Sequence, residues 1–403
     1  MSAVTVTKRR KSQIATVLES KTAKTMFGED FHTPEYTIKD ILDAIPKHCY
    51  ERSLIRSFGY LFRDLFFIGL NGYVAVSYIH LIPSAPARFV AWTLYTFVQG
   101  LLGVGCWILA HECGHGAFSD YRLVNDTVGW FVHSALLVPY HSWRLSHSKH
   151  HKATGNMQRD MAFVPFKKEE FARFRGITVL AEAAEDTPIM SIYFLLAHQL
   201  FGWVAYLATN ASGQLYPGRS AFAVNHYNPK SPIFDKKDFW DIVISDLGLG
   251  LVLAALYFSA EKWGYWTVFV MHIVPWFWVH HWLIQITFLH HTDPRMPHYD
   301  NEDWNFCRGA SATIDREFGF IGKHMFHDII ETHVLHHFVS RIPFYNAREA
   351  TEAIKKVMGS SYVKDDSNFI TSLYKVFRSC QYVEGDNGVY MYRNKNNVGV
   401  NSK

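Results

Sequence analysis

Apolar residues fall into five long blocks separated by stretches rich in charge and histidine. The blocks cover about 60–82, 89–110, 188–208, 239–260 and 264–289, each near the ~20 residues that a membrane-spanning helix needs. A shorter run, 128–139, reads as an interfacial or re-entrant piece. The pattern predicts an all-α integral membrane protein. Pro83-Ser84-Ala85-Pro86 leaves room only for a tight turn, so 60–82 and 89–110 form a hairpin. Lys262 and its neighbours join 239–260 to 264–289 in the same way. Upstream, Ile38, Ile41, Leu42 and Ile45 recur near helical spacing until Pro46, which predicts an amphipathic surface helix leading to the membrane.

Composition sharpens this picture. Aromatic residues make up 16% of the 403 residues and gather with the apolar blocks, unlike those of an ordinary soluble domain. The polar N-terminus has no apolar core of the kind a secretory signal carries. Cysteines at 49, 106, 113, 307 and 380 form no CxxC, so neither a disulfide framework nor a thiolate zinc site is expected. A net charge of +4 without an aromatic platform among the basic residues gives no case for nucleic acid. The basic run 8–11 reads as a solvated tail. By the positive-inside rule that tail, 111–187 and 290–403 share the cytosolic side.

The 23 histidines carry the chemistry. His111 and His115 stand in "HECGH", His147, His150 and His151 in "HSKHH", and His333, His336 and His337 in "HVLHH". Helical residues three or four apart share a face, so each cluster offers at least two imidazoles to one metal. "HECGH" also fits the HExxH of zinc proteases, with Glu112 as base. A zinc protease uses three protein ligands and a water, which leaves most of these histidines unexplained. A metal transporter would carry its ligands within the spans, and these clusters lie outside them. The number suits a two-metal centre with four or five nitrogens per ion.

Convergence constrains topology, because the first and third clusters must lie on one membrane face. Three blocks intervene, so one does not cross. Residues 188–208, interrupted by His198-Gln199, are expected at the interface. Four transmembrane helices in two hairpins result, with a helical cytosolic cap carrying the histidines. The units are a tail and amphipathic helix (1–58), a first hairpin (59–110), a cytosolic region with two clusters (111–238), a second hairpin (239–289) and a C-terminal region with the third (290–403). Isolated His80, His133, His198, His226 and His272 read as packing residues, and His280 and His281 as cavity-lining.

HxxxH, HxxHH and HxxHH in this order resemble the three histidine boxes of the membrane fatty-acid desaturases. The likeness extends through "TIKDILDAIPKHCYERS", "SWRLSHSKHHKATGN", "FGWVAYLATNASG", "HHTDPRMPHYD" and "GFIGKHMFHDIIETHVLHHFVSRIPFYNAREA". It is greatest to fungal oleate Δ12 and linoleate ω3 desaturases. The resemblance implies two iron ions held by His111, His115, His147, His150, His151, His333, His336 and His337, with His291 as a further ligand. Plant relatives commonly show Gln-His-Thr-His where this chain has His290-His291-Thr292-Asp293. Glu112 then becomes an orienting partner of an imidazole, and Asp120 is expected to act likewise, with Asp126 and Asp160 as further candidates.

The implied reaction inserts a second cis double bond into oleoyl lipid with O2 and two external electrons. The electrons would come from cytochrome b5 and its NADH-dependent reductase at the endoplasmic reticulum membrane, with both termini cytosolic. The alternatives are ω3 desaturation of linoleate, hydroxylation and the zinc protease. Trp107, Trp276, Trp278 and Trp282 could line the acyl tunnel, although aromatic residues more often anchor helices or fill cores.

Overall fold

A computed structural model describes residues 19–176 and 188–394; the basic run 8–11 lies outside them. The principal helices are α1 (Ile38–Ala44), α2 (Leu54–Tyr78), α3 (Ala85–His115), α4 (Arg122–Ala135), α5 (Tyr140–His151), α6 (Lys168–Gly176), α7 (Pro188–Thr209), α8 (Phe239–Trp263), α9 (Val274–His291), α10 (His333–Phe338), α11 (Phe344–Met358) and α12 (Phe369–Ser379). A short helix, Tyr265–Val268, and a π-helical turn, Phe269–Ile273, run directly into α9. Five helical stretches among the described residues are long and apolar enough to cross a membrane: Leu54–Leu81, Ala85–His115, Pro188–Thr209, Lys236–Trp263 and Tyr265–His291. All five apolar blocks are therefore helical, and by length and composition the third, 188–208, expected at the interface, qualifies with the others.

The helix starts follow local chemistry. Thr37 caps α1 in a reciprocal capping box with Asp40, and the Ser53 hydroxyl accepts from Arg56 N at 3.3 Å to open α2. Pro46 separates the two helices. The apolar face of α1 does not lie free on a membrane surface: Ile41 and Ile45 are buried with Val334, Leu335, Phe338 and Ile354. Val334, Leu335 and Phe338 belong to the helix of the third histidine cluster and Ile354 to α11, so α1 packs onto the cap. The outward faces of α2 and α8 stay apolar and exposed, at Phe62, Phe66, Leu251 and Phe258 among others. Such faces suit lipid.

α3 is the central helix. With 31 residues it is about 46 Å long, well beyond the ~30 Å hydrocarbon core of a bilayer. His111 and His115 stand in its final two turns. Gly116, at φ 68°, ends it in the left-handed conformation. α3 and α9 pack side by side and run in the same direction. A Cβ at Gly100 would overlap Trp278, and one at Gly103 would come within 2.8 Å of Val279. The C-terminal ends of α3 and α9 consequently reach the same place. Trp107, Trp203, Trp282 and Leu283 join α3, α7 and α9 in the largest apolar core.

The cap closes over these ends. Strands β1 (Thr22–Lys24) and β2 (Asp30–His32) form an antiparallel hairpin. β3 (Pro297–Tyr299), β6 (Tyr382–Glu384) and β7 (Val389–Arg393) form a sheet in the order β3-β7-β6, and β4 (Asp315–Arg316) pairs in parallel with β5 (Lys364–Asp365). The shorter run 128–139 falls mostly in α4, which is tied to its neighbours by polar contacts: His133 Nε2 meets Trp107 O at 3.1 Å, and Trp130 Nε1 donates to Ile244 O at 2.8 Å.

Candidate metal centre

Four segments bring imidazoles to one place. The end of α3 carries His111 and His115, α5 carries His147, His150 and His151, the end of α9 carries His291, and α10 carries His333, His336 and His337. Ring nitrogens of His111, His115, His147, His151 and His336 lie within 4.8 Å of one another, as do those of His150, His291 and His337. His333 Nε2 is 3.1 Å from His291 Nε2. The two groups adjoin, since the His151 and His337 rings stack at 4.2 Å between centroids.

The nitrogen spacing tests whether a metal fits. His115, His111, His147 and His151 form a chain of Nε2–Nε2 contacts of 3.2, 3.1 and 3.1 Å. A neutral imidazole nitrogen carries either one proton or one in-plane lone pair. His111 and His147 each sit in two of these contacts, so hydrogen bonds do not satisfy the whole chain well. A shared cation does: two nitrogens about 2.1 Å from one ion, about 90–110° apart, are separated by about 3.0–3.4 Å. His336 Nε2 and His337 Nε2 are buried without a hydrogen-bond partner among the described residues. Burial first, then repulsion between neighbouring rings, holds His147, His151, His333, His336 and His337 well below the usual imidazole pKa. The neutral ring is the ligating form.

The family model for fatty acid desaturases matches residues 87–368, which contain every one of these histidines. The chain belongs to the fatty acid desaturase family. An oleate hydroxylase of Claviceps purpurea is 47% identical over 401 residues, covering 93% of this chain and 84% of the relative. A Δ12 fatty acid desaturase of Mortierella alpina is 43% identical over 94% of this chain and 96% of its own. An endoplasmic reticulum omega-6 fatty acid desaturase of Brassica juncea is 41% identical over 90% and 93%. This desaturase-family enzyme is thus an oxidoreductase whose histidine groups suit metal binding.

Around the imidazoles of this desaturase-family enzyme, a surrounding layer sets ring orientation. His150 Nδ1 donates to Asp160 Oδ1 at 2.6 Å, leaving Nε2 bare. Asp160 is held by amides of Gly155, Ala162 and Phe163 at 3.0, 2.9 and 3.2 Å. Thr154 donates its hydroxyl proton to His150 O at 2.8 Å, so at 3.1 Å it accepts from His337 Nδ1. Carboxylate–imidazole partners of this kind tune metal affinity. Asp160→Asn is expected to lower metal affinity about 10–100-fold, read as metal retained during chelator titration; unchanged retention would remove the residue from this role.

The other expected partners divide. Glu112 is buried, accepts from Phe344 N at 3.1 Å, and stands 3.9 Å from His111 Nδ1. Asp120 does not act as expected: its exposed carboxylate pairs with Arg52, because it follows the α3 turn out into solvent. Asp126 pairs with Arg122 at 3.1 Å. His290 is turned aside with both ring nitrogens against carbonyls of Ile286 and Ile330, at 2.6 and 2.9 Å, whereas His291 enters the second group. The sequence reading passed over Thr154 and Asp315. Asp315 accepts from Val334 N at 2.7 Å and from the Tyr362 hydroxyl at 2.6 Å, pinning the start of α10. Burial pushes its carboxyl pKa up to about 7. Thr154 lies three residues beyond His151, a signal that was available; Asp315 lies far from any box and gave none.

A cavity of about 340 Å³ opens beneath the rings, lined by apolar and aromatic side chains of α3, α7 and α9 together with His111, His147, His150, His291 and His333. Trp107 is part of its wall. His280, read as cavity-lining, packs on Trp276 at 3.8 Å between centroids. His198, read as a packing residue, lines the cavity instead.

Proposed function

We propose that this enzyme inserts a second cis double bond into oleoyl lipid chains, at Δ12, using O2 and two electrons. The observation that carries the reading is the apolar cavity ending on nine gathered histidines. In its wall Val104 and Ile284 each lie seven positions before a histidine at a helix end, His111 and His291. That is about 10 Å of helix, enough for the six carbons beyond C12 of an oleoyl chain. Ligands His111, His115, His147, His151 and His336 would hold one iron, and His150, His291, His333 and His337 the other. Iron bound there supplies the O2 and one-electron chemistry that an unactivated methylene requires. The protein's part is positioning and dryness: Trp143 stacks on His147 at 4.5 Å and Trp107 on His111 at 5.7 Å, so the metal-facing rings back onto apolar surface that excludes water.

A second reading, hydroxylation of the same chain, is favoured by the Claviceps relative, which is named an oleate hydroxylase. Both reactions would use this cavity. The ω3 reading asks for a shorter segment beyond the reacting carbons.

The same proposal includes four spans. The parallel run of α3 and α9 into one histidine site requires the chain to cross back once between them. α8 is the better candidate for that crossing, because α7 touches cap elements from its middle to its C-terminal turns. His198 lies 6.1 Å from Phe377 of α12 between centroids, and the Tyr206 hydroxyl donates to Ser146 of α5 at 3.4 Å. With both termini cytosolic, the site faces cytochrome b5 and its reductase, the proposed electron source, at the endoplasmic reticulum membrane.

Expression in a yeast that makes only monounsaturated acids tests the reading, with lipids resolved by gas chromatography with and without added linoleate. Linoleate is the expected product, and the purified chain is expected to hold two Fe. A hydroxylated product alone would favour the second reading. α-Linolenate formed only from added linoleate would replace Δ12 by ω3, and one Zn with no lipid product would overturn the whole assignment.

A further inference from the structure

We infer that Gly202 sets the length of acyl chain that the cavity accepts beyond the reacting carbons, an inference that rests on the acyl-chain reading above. Gly202 lies on the face of α7 that lines the cavity, opposite Ile284 of α9. A Cβ at this position would meet Ile284 Cδ1 and His198 Cδ2, each at 3.3 Å. One methyl group fits only if Ile284 or the His198 ring gives way slightly, and a branched side chain adds further bulk to the cavity wall. The level matters as much as the space. Ile284 lines the cavity seven positions before His291, about 10 Å along α9, so bulk added here takes up lumen at a distance from the metal-facing histidines. The chain's terminal carbons would meet that bulk first.

Glycine is also the poorest helix former after proline, and α7 keeps it in mid-helix. Replacement by alanine therefore favours the helix, and the structural cost of substitution falls on the cavity wall. Loss of one methylene's worth of pocket discriminates between substrates by about 10–200-fold.

The test uses the full-length chain in a yeast whose unsaturated acids are palmitoleate and oleate. Product formed from each is measured by gas chromatography for the parent, Gly202→Ala, Gly202→Val and Gly250→Val. Gly250 in α8 has nothing within 4 Å of an added Cβ, so its substitution makes the same change in open space. The expected result is a rise in the ratio of C16 to C18 product of about tenfold or more for Gly202→Val. Gly202→Ala should give a smaller rise and Gly250→Val none. An unchanged ratio in Gly202→Val, or a proportionate loss of both products with the protein still in the membrane, overturns the inference. If the valine variant does not accumulate, the alanine variant decides by the same ratio. The parent's product, desaturated or hydroxylated, reports separately on the reaction assigned above.

Discussion

His147→Ala is expected to abolish product formation, by about a thousandfold or more if residual turnover is detectable, and to lower the iron bound per chain. The residue is the hub of the larger group: its Nε2 lies 3.1 Å from both His111 Nε2 and His151 Nε2. Its loss takes one ligand of five from that group. On the proposed two-iron reading, iron per chain should fall from two toward one, with the second group, around His150, His291 and His337, retaining its ion more firmly. The fold should survive, because the ring is replaced beside Trp143, whose packing among Trp107 and Val138 continues without it. Unaltered iron content with activity within a few-fold of the parent would exclude His147 as a ligand. Loss of activity with both irons retained would assign it a different task.

Arg316→Met is expected to give the largest loss of stability among single substitutions in the cap. The guanidinium is almost fully buried, donating to Leu289 O at 2.8 Å and Asp293 Oδ2 at 3.1 Å while also pairing with Asp365. Removing one member of a buried ion pair costs about 3–5 kcal/mol; Asp293 keeps Arg295 as a partner, so the loss falls toward the low end of that range and lies partly in Leu289 O, left buried without its donor. Arg295 provides the contrast. It holds the same Asp293 at 2.7 and 3.0 Å, but its side chain is 37% exposed, and exposed pairs contribute about 0–1 kcal/mol. Thermal denaturation of the purified protein in detergent should show a large downward shift for Arg316→Met and a small one for Arg295→Met. Equal shifts would refute the argument. Leu289 is two residues before His291, so the first variant should also lose metal more readily.

Several features were legible from local spacing alone. The i, i+3 and i+4 intervals of the three clusters, the five apolar blocks and the tight Pro83–Pro86 turn each depend on a few consecutive residues, and each appears as a helix, a helix end or a turn. The exceptions share one cause. The amphipathic pattern of α1 was visible, yet nothing local distinguishes an apolar face that meets lipid from one that meets Val334 and Ile354. His198 is a lone histidine in apolar surroundings, and only the packing of α7 against α9 puts it in the cavity wall; His280, four residues from Trp276 on the same helix, instead packs against that ring.

The linear order of residues determined that this chain makes long apolar helices, that imidazoles are presented on helical faces in three sets, and that the family is that of the desaturases. Only the tertiary structure decided that His291 turns inward while His290 turns to the backbone, that Asp160 and Thr154 fix ring orientation while Asp120 pairs with Arg52 in solvent, and that Gly202 borders a cavity. The physical reason is range. Helical periodicity and chain reversal arise from contacts within a few residues, whereas the direction a side chain faces across an interface is set by partners tens or hundreds of positions away.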